Sequence, residues 1–94
     1  MQIDGFDWDA GNLEKCSSHG VSLAEIESLF TRPHRITPDV KHSGDEERFL
    51  AIGHTDAGRP LFLVFTTRLN AGRLLVRPIS ARYMHIKEFR RYEW

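Results

Sequence analysis

Residues 61–67 read LFLVFTT, and this stretch decides the fold that the sequence predicts. It is apolar at odd and even positions alike, which is typical of a strand buried on both faces of a sheet. Turn residues bound it on both sides, with TDAG at 55–58 and NAG at 70–72. We therefore predict that residues 61–67 form the central strand of a β-sheet.

The neighbouring strands follow from the same pattern. Residues 48–53 and 73–79 are strand-like and are joined to the central run by short turns, so the strands pair as an antiparallel meander. Residues 34–37 can add a short strand. Pro78 lacks an N–H donor and is expected near a strand end or on a sheet edge. The sequence thus predicts a sheet of three to four antiparallel strands.

Helix signals flank the sheet in the sequence. Asp9 can cap a first helix that continues to about Ser18. The residues SLAE at 22–25 form a capping box, in which the Ser hydroxyl and the Glu carboxylate satisfy free backbone N–H groups, and a second helix starts near Leu23. A last helix is expected from about Ala81. The predicted fold class is α+β, with two N-terminal helices, the sheet and a C-terminal helix.

Length and composition restrict the class of protein. The chain has 94 residues, so we predict a single domain over residues 1–94. Cys16 is the only cysteine, which excludes an internal disulfide and a zinc site built from several cysteines. No apolar run approaches the roughly 18–20 residues that a transmembrane helix needs. The acidic N-terminal sequence lacks an apolar signal core, and we expect a cytoplasmic protein without a membrane partner.

Charge is distributed unevenly along a chain whose formal net charge is zero. Up to Phe30 there are six acidic residues and one basic residue, a net charge of −5; from Arg68 onward there are seven basic and two acidic residues, a net charge of +5. Such polarity indicates a basic face for a polyanion or an acidic partner. The alternative is that arginine is a common surface residue and that the two segments simply neutralise each other.

The candidate chemistry needs neither a metal nor a cofactor. The histidines do not show metal-ligand spacing, and the sequence contains no glycine-rich phosphate loop and no serine nucleophile elbow. A metal-independent ribonuclease needs a group that removes the 2′-OH proton, a proton donor for the 5′-oxygen and a cation for the phosphorane. Arginine suits the last role, because its planar fork binds phosphate bidentately.

The arginines at or near predicted strands include Arg48, Arg68, Arg77 and Arg82. In a meander the start of one strand lies beside the end of the next, so Arg48 and Arg68 are expected to be neighbours if both reach the same sheet edge. Taken alone, each arginine is more simply interpreted as a surface residue or as the salt-bridge partner of an acid such as Glu46 or Glu47.

An ordered series of segments resembles a known family, the BrnT-type toxins of bacterial type II toxin–antitoxin systems. The series includes FDWD at 6–9, HGVS at 19–22, EERF at 46–49 and ISAR at 79–82. The resemblance implies a RelE-like fold and a ribonuclease that causes growth arrest by cutting RNA. It also implies a ribbon-helix-helix antitoxin of the BrnA type, with operator DNA bound only through the antitoxin complex.

The resemblance also suggests which residues form the site. Carried over onto this sequence, it implies a catalytic set of Lys15, His19, Glu47, Arg48, Arg68 and Arg82, and RNA-binding roles for Arg77, Glu88 and Tyr92. The predicted function is a metal-independent endoribonuclease toxin neutralised by its antitoxin. The alternative is a non-catalytic module that binds RNA or protein as the corepressor subunit of an antitoxin complex. Tyr83 and Trp94 are either anchors for such a partner or core residues.

Overall fold

A computed structural model describes residues 1–92, so Trp94, a predicted anchor or core residue, lies outside the described residues. Within residues 1–92 the fold is α+β, as predicted, with three helices and a five-stranded sheet. In chain order its elements are β1 (Gly5–Phe6), α1 (Ala10–Ser17), α2 (Leu23–Leu29), β2 (His34–Pro38), β3 (Phe49–His54), β4 (Pro60–Asn70), β5 (Arg73–Tyr83) and α3 (Ile86–Phe89), with short 3-10 turns at Val40–His42 and Arg90–Tyr92.

The strand order in the sheet is β1-β5-β4-β3-β2, which places β4 in the middle, as the apolar run predicted. Strands β2 to β5 form the expected antiparallel meander. The prediction of three to four antiparallel strands is wrong at one edge, because β1 pairs with β5 in parallel. The N–H groups of Asp4 and Asp7 donate to the carbonyls of Leu74 and Val76, each at 2.8 Å, and extend this short pairing.

Both predicted N-terminal helix starts are confirmed by side-chain caps. The Asp9 carboxylate accepts from the Asn12 N–H at 3.0 Å, and the Asn12 side chain accepts from the Asp9 N–H at 2.8 Å. The Ser22 hydroxyl and the Glu25 carboxylate form the same reciprocal arrangement at α2. These caps occupy backbone N–H groups that have no partner within the helix, and they fix where each helix begins.

The C-terminal helix begins later than predicted. Strand β5 continues to Tyr83, so α3 starts at Ile86 rather than at about Ala81, and Arg82 lies in a strand rather than at a helix start. The strand continues because β4 is long enough to pair with it as far as the match of Leu61 with Tyr83. The prediction for Pro78 is wrong, because Pro78 lies inside β5 and not near its end. The strand tolerates a residue without an N–H donor there, since Pro78 lies past the residues that pair with β1 and beside a bulge in the β4–β5 pairing.

The core lies between the sheet and the first two helices. Cys16 of α1 and Leu29 of α2 pack with β-strand side chains such as Leu63 and Phe65, all of which are buried. Gly53 also faces α2, since a Cβ built on it would lie 2.8 Å from Leu29 Cδ1. Residues that alternate with these side chains point to the opposite side of the sheet, which we call the second face.

No helix among residues 1–92 is long and apolar enough to cross a membrane.

Candidate functional site

The second face is organised in rows of directly opposed residues from neighbouring strands. One row consists of Arg35, Ile52, Phe62 and Arg82, from β2, β3, β4 and β5. The next row consists of Thr37, Leu50, Val64 and Ser80. Directly opposed residues in an antiparallel sheet share a face and lie within side-chain contact, so Arg82 is set beside Phe62 by the strand register.

Arg82 is the centre of one cluster on this face. Its Nη1 and Nη2 atoms donate to Oε1 and Oε2 of Glu88 at 2.9 and 2.8 Å, and its guanidinium carbon lies 4.4 Å from the centroid of the Phe62 ring. The ring of Tyr92 lies 6.4 Å from that of Phe62, centroid to centroid. The predicted residues Arg82, Glu88 and Tyr92 are thus brought together, around a phenylalanine that the sequence patterns had not singled out.

The Arg82–Glu88 pair is strongly polarised yet still open to solvent. The hydrogen bonds with Glu88 raise the pKa of Arg82, and the same bonds lower the pKa of Glu88. The two side chains remain 42% and 30% exposed, so a ligand can approach the guanidinium from outside. Glu88 occupies the fork formed by Nη1 and Nη2, so an anionic ligand can reach only the N–H groups of the guanidinium that Glu88 leaves free.

A second cluster surrounds the carboxylate of Glu46. Arg68 donates from Nη1 to Oε2 of Glu46 at 2.7 Å, and this bond is the main cause of the lowered pKa of Glu46. Arg48 and Arg77 are close enough to lower the same pKa by charge alone. The face therefore gathers the predicted Arg48, Arg68 and Arg77, and the pairing of an arginine with Glu46, which the sequence left open, is present for Arg68.

Arg77 links this cluster to the acidic N-terminal segment. Its Nη2 atom lies 2.8 Å from Oδ2 of Asp9, and its Nη1 atom lies 3.4 Å from Oδ2 of Asp7. The hydrogen bond that Arg77 donates to Asp9 is the main cause of the raised pKa of Arg77. Part of the charge asymmetry along the sequence is thus neutralised inside the molecule, as the alternative interpretation of that asymmetry expected.

Lys15 and Arg77 both line an open depression of about 600 Å³, which Asp9 and Pro78 also line. Asn12, buried beneath it, donates from Nδ2 to the carbonyls of Asp7 and Pro78 at 3.0 and 2.9 Å. This side chain fixes α1 against the middle of β5. It therefore sets the position of Lys15 relative to Arg77.

Two predicted residues are not joined to these clusters. His19 is exposed in the turn between α1 and α2, the helices that cover the other face of the sheet. Glu47 is exposed, and its contact is through the backbone, where its carbonyl accepts from the Thr66 hydroxyl at 2.7 Å. Within residues 1–92 no hydrogen bond or ion pair joins either side chain to Arg48, Arg68 or Arg82.

A second open depression, of about 560 Å³, lies beside the Glu46 cluster. It is lined by His42, Gly44, Asp45, Glu46 and Arg48. The His42 ring is held by the carboxylate of Asp39, with Nδ1 at 3.0 Å from Oδ2. Sequence patterns gave no signal for this pair, because an acid and a histidine at i and i+3 in a polar loop are not distinctive.

In the part of the chain that the structure describes, residues 1–92, no group of three or more His, Cys, Asp or Glu side chains is arranged to hold a metal ion.

Fold and site together define a small α+β protein with a sheet face that carries paired arginines, a surface suited to a phosphate-bearing ligand. The sequence profile of a family described as "Ribonuclease toxin, BrnT, of type II toxin-antitoxin system" matches residues 8–88. The chain therefore belongs to this family, which confirms the resemblance seen in its sequence. The matched range includes Arg82 and Glu88 and ends before Tyr92. No individually curated protein matches the chain significantly.

Membership in this family implies an RNA substrate and an antitoxin partner.

Proposed function

We propose that this protein is a metal-independent endoribonuclease toxin that cleaves RNA by attack of the 2′-OH on the adjacent phosphorus. The observation that carries the proposal is Arg82, whose guanidinium is held against Phe62 by Glu88 and remains open to solvent. Family membership supports the reaction class, and the arginine clusters support the way in which the phosphate is bound.

The reaction requires proton transfer and charge stabilisation but no redox step. The bond between the 2′-oxygen and phosphorus forms while the bond between phosphorus and the 5′-oxygen breaks. One group accepts the 2′-OH proton and another donates a proton to the 5′-oxygen, which leaves a 2′,3′-cyclic phosphate and a 5′-hydroxyl. Arginines that are charged before the substrate arrives stabilise the phosphorane without reorganisation at the moment of reaction.

Glu88 is compatible with phosphate binding by Arg82. The carboxylate takes one N–H from each terminal nitrogen of the guanidinium, and the remaining N–H donors are left for a phosphate oxygen. Glu88 thus orients the guanidinium of Arg82, and it contributes to RNA binding through Arg82. Tyr92, next to Phe62, offers a ring on which a nucleobase can stack.

The proposed site otherwise follows the family resemblance. Arg82 binds the substrate phosphate. Arg48 and Arg68 are proposed catalytic residues in the other cluster, around Glu46, and Arg77 contributes to RNA binding. Lys15, His19 and Glu47 remain proposed catalytic residues. Of these, Lys15 draws support from lining the same depression as Arg77.

We further propose that the antitoxin is a ribbon-helix-helix protein of the BrnA type, and that operator DNA is bound only through the complex. The toxin acts in the cytoplasm, where its RNA substrate is found. The net charge of +5 from Arg68 onward favours rapid association with an acidic segment of such a partner. A short neighbouring reading frame with ribbon-helix-helix character would support this proposal, and its absence would count against it.

Cleavage of RNA in the presence of EDTA tests the proposed function. The purified protein should cut RNA under these conditions, and its expression without the antitoxin should arrest growth. Salt-sensitive RNA binding without cleavage would instead favour the alternative, a corepressor module that binds RNA or protein. Intact RNA after incubation with a protein of native circular dichroism would contradict the enzymatic function.

A further inference from the structure

We propose that His54 is the general base of this ribonuclease and removes the 2′-OH proton beside the phosphate that Arg82 binds. The inference rests on the proposed function, because it names the group that performs one step of that reaction. It concerns a histidine outside the set that the family resemblance implies for the site.

The strand register places His54 on the second face, one row from Arg82. His54 is opposite Pro60 in the pairing of β3 with β4, two residues along β3 from Ile52. Ile52 belongs to the row that contains Phe62 and Arg82, and residues two apart in a strand share a face. His54 is therefore the diagonal neighbour of Phe62, and such neighbours lie about 7–8 Å apart, within reach of aromatic and long side chains.

Ring and ion-pair contacts of α3 bring the histidine and the arginine to the same end of this face. The His54 ring lies 4.4 Å from the Phe89 ring, centroid to centroid. Phe89 follows Glu88, whose carboxylate accepts from both terminal nitrogens of Arg82 at 2.9 and 2.8 Å. Two consecutive residues of α3 thus contact the histidine and the arginine, which fixes the position of one relative to the other.

The separation of His54 from Arg82 suits a base and a cation that act on one phosphate. Only β4 lies between β3 and β5, so these strands are two strand spacings apart, roughly 10 Å. A guanidinium–phosphate contact, the distance between the reacting atoms and a hydrogen bond to the base each span about 3 Å. A phosphate held by Arg82 can therefore have the 2′-OH of its ribose within reach of His54.

The His54 ring is held in place but keeps its nitrogens for proton exchange. The side chain is partly buried, and its plane meets that of Phe89 at 57°. Within residues 1–92 the hydrogen bonds of histidine rings belong to His34 and His42, and none involves His54. A neutral imidazole has one nitrogen with a free lone pair, which can accept the proton.

The charged groups around His54 are of both signs. Glu88 is engaged by Arg82, and Asp56 lies 3.8 Å from Arg32, so these two carboxylates have cationic partners. Among this set, only a histidine ordinarily changes its charge between about pH 5 and 8. The titratable groups on the elements around His54 are Arg35 of β2, Asp56 after β3, Arg82 of β5, and Glu88, Arg91 and Tyr92 of the C-terminal segment.

The other histidines are placed less well for this step. His19 lies in the turn between α1 and α2, and the His34 ring contacts Phe30 at 5.2 Å on the face that these helices cover. His42 is held by Asp39 in the loop before β3, at the other end of the sheet. His85 precedes α3 and is exposed, and within residues 1–92 it makes no ring contact.

The proposed step is balanced in atoms and protons. A ring nitrogen of neutral His54 takes the 2′-OH proton while the 2′-oxygen bonds to phosphorus. The bond from phosphorus to the 5′-oxygen breaks, and this oxygen takes a proton from water. The imidazolium then returns its proton to the solvent, which regenerates the neutral ring for another cycle.

The test measures RNA cleavage in EDTA by His54→Phe, His54→Gln and the wild type, with His34→Phe as a matched control. His54→Phe keeps an aromatic ring against Phe89 but cannot accept a proton, and His34→Phe makes the same change against Phe30 on the other face. We expect both His54 variants to lower kcat by about 100-fold or more and the control to match the wild type. Affinity for 2′-O-methyl RNA, which cannot be cleaved by this route, should be unchanged in all of them.

The pH profile and the leaving group separate a base from other roles. A base acts in its neutral form, so the wild-type rate should rise with pH between about pH 5 and 8, and this rise should be absent in His54→Phe. A substrate with sulfur in place of the 5′-oxygen needs no proton on its leaving group. His54→Phe should be as impaired on this substrate as on ordinary RNA, and its melting temperature should show that it is folded.

Four outcomes overturn the inference. They are a wild-type rate in His54→Phe, a loss of affinity for 2′-O-methyl RNA in place of the loss in kcat, full recovery with the sulfur substrate, and a wild-type rate that does not change between pH 5 and 8. The last requires no variant. In each case, cleavage by the wild type in EDTA leaves the proposed function standing. If the wild type itself leaves RNA intact, the proposed function fails first and the inference fails with it.

Discussion

Replacing Arg82 with alanine is expected to reduce cleavage far more than it reduces stability. Arg82→Ala removes the guanidinium fork that Glu88 orients. Loss of one preorganised donor to a transition-state oxyanion costs about 3–4 kcal/mol, a decrease of roughly 10²–10³-fold in kcat. The partly exposed ion pair contributes about 0.2–1 kcal/mol to stability, and the contact with Phe62 about 0.5–1 kcal/mol. A domain stabilised by roughly 5–15 kcal/mol tolerates this loss.

The assay measures initial rates of RNA cleavage in EDTA together with the melting temperature. Arg59→Ala is a matched control, because the Arg59 guanidinium carbon lies 3.4 Å from the centroid of the Tyr83 ring, on the side of the sheet that α1 and α2 cover. We expect the two variants to lose similar stability and only Arg82→Ala to lose activity. Activity within about threefold of wild type in Arg82→Ala, or an equal loss in both variants, would refute the assignment of Arg82.

Further predictions concern stability and are checked by thermal denaturation. Asn12→Ala should cost about 2–4 kcal/mol, because it leaves buried carbonyl partners unsatisfied, and an unchanged melting temperature would contradict this. Gly53→Ala should cost about 1–3 kcal/mol of stability, because the new Cβ overpacks against α2. Gly44→Ala should leave stability unchanged, since no atom lies within 4 Å of its new Cβ. Equal melting temperatures of these two variants would show that the packing argument is wrong. The pKa values of Glu46 and Glu88 are lower in the folded protein than in the unfolded chain. The stability that this contributes is fully present above the unfolded pKa of about 4.3 and is lost as the pH falls through the folded values. The melting temperature should therefore fall below about pH 4, and a melting temperature that does not change with pH there would contradict this.

The local parts of the fold were predictable because their signals are local. The caps at Asp9 and Ser22 depend on residues at most three positions apart, and both helices begin where these patterns indicated. The continuous apolar run in β4 indicated a central strand, and β4 lies in the middle of the sheet, with Leu63 and Phe65 buried on one face and Phe62 and Val64 half-buried on the other. Strand β1 is only two residues long, which is too short for a period-2 pattern to indicate its parallel pairing.

The site depended on a feature that the sequence does not display. Between Val64 and Phe65 the register with β5 shifts by one residue, so Phe62 is opposite Arg82. Continuing the register of the hairpin end, where Asn70 is opposite Arg73, would instead place Phe62 opposite Ala81. A slip of one residue turns every later side chain to the other face, and the face on which Arg82 lies follows from this bulge.

The distribution of charge along the sequence predicted a basic surface but not the ion pairs that its arginines form with acidic residues of the same chain. The clusters join residues far apart in sequence, such as Arg77 with Asp9 and Arg68 with Glu46. Predicting such pairs requires the strand order and the register, which sequence patterns indicate only approximately. The reaction class came from the ordered family segments, since arginines at strands are compatible with many phosphate ligands.

The most direct test of the central claim is the chemistry of the products. An RNA oligonucleotide and the same sequence with 2′-O-methyl groups should be incubated with the protein in EDTA, and the product ends should be identified by mass spectrometry. If the protein is the proposed metal-independent ribonuclease, only the unmodified RNA is cut, leaving a 2′,3′-cyclic phosphate or a 3′-phosphate and a 5′-hydroxyl. Cleavage of the 2′-O-methyl RNA, or products with a 5′-phosphate, would contradict it.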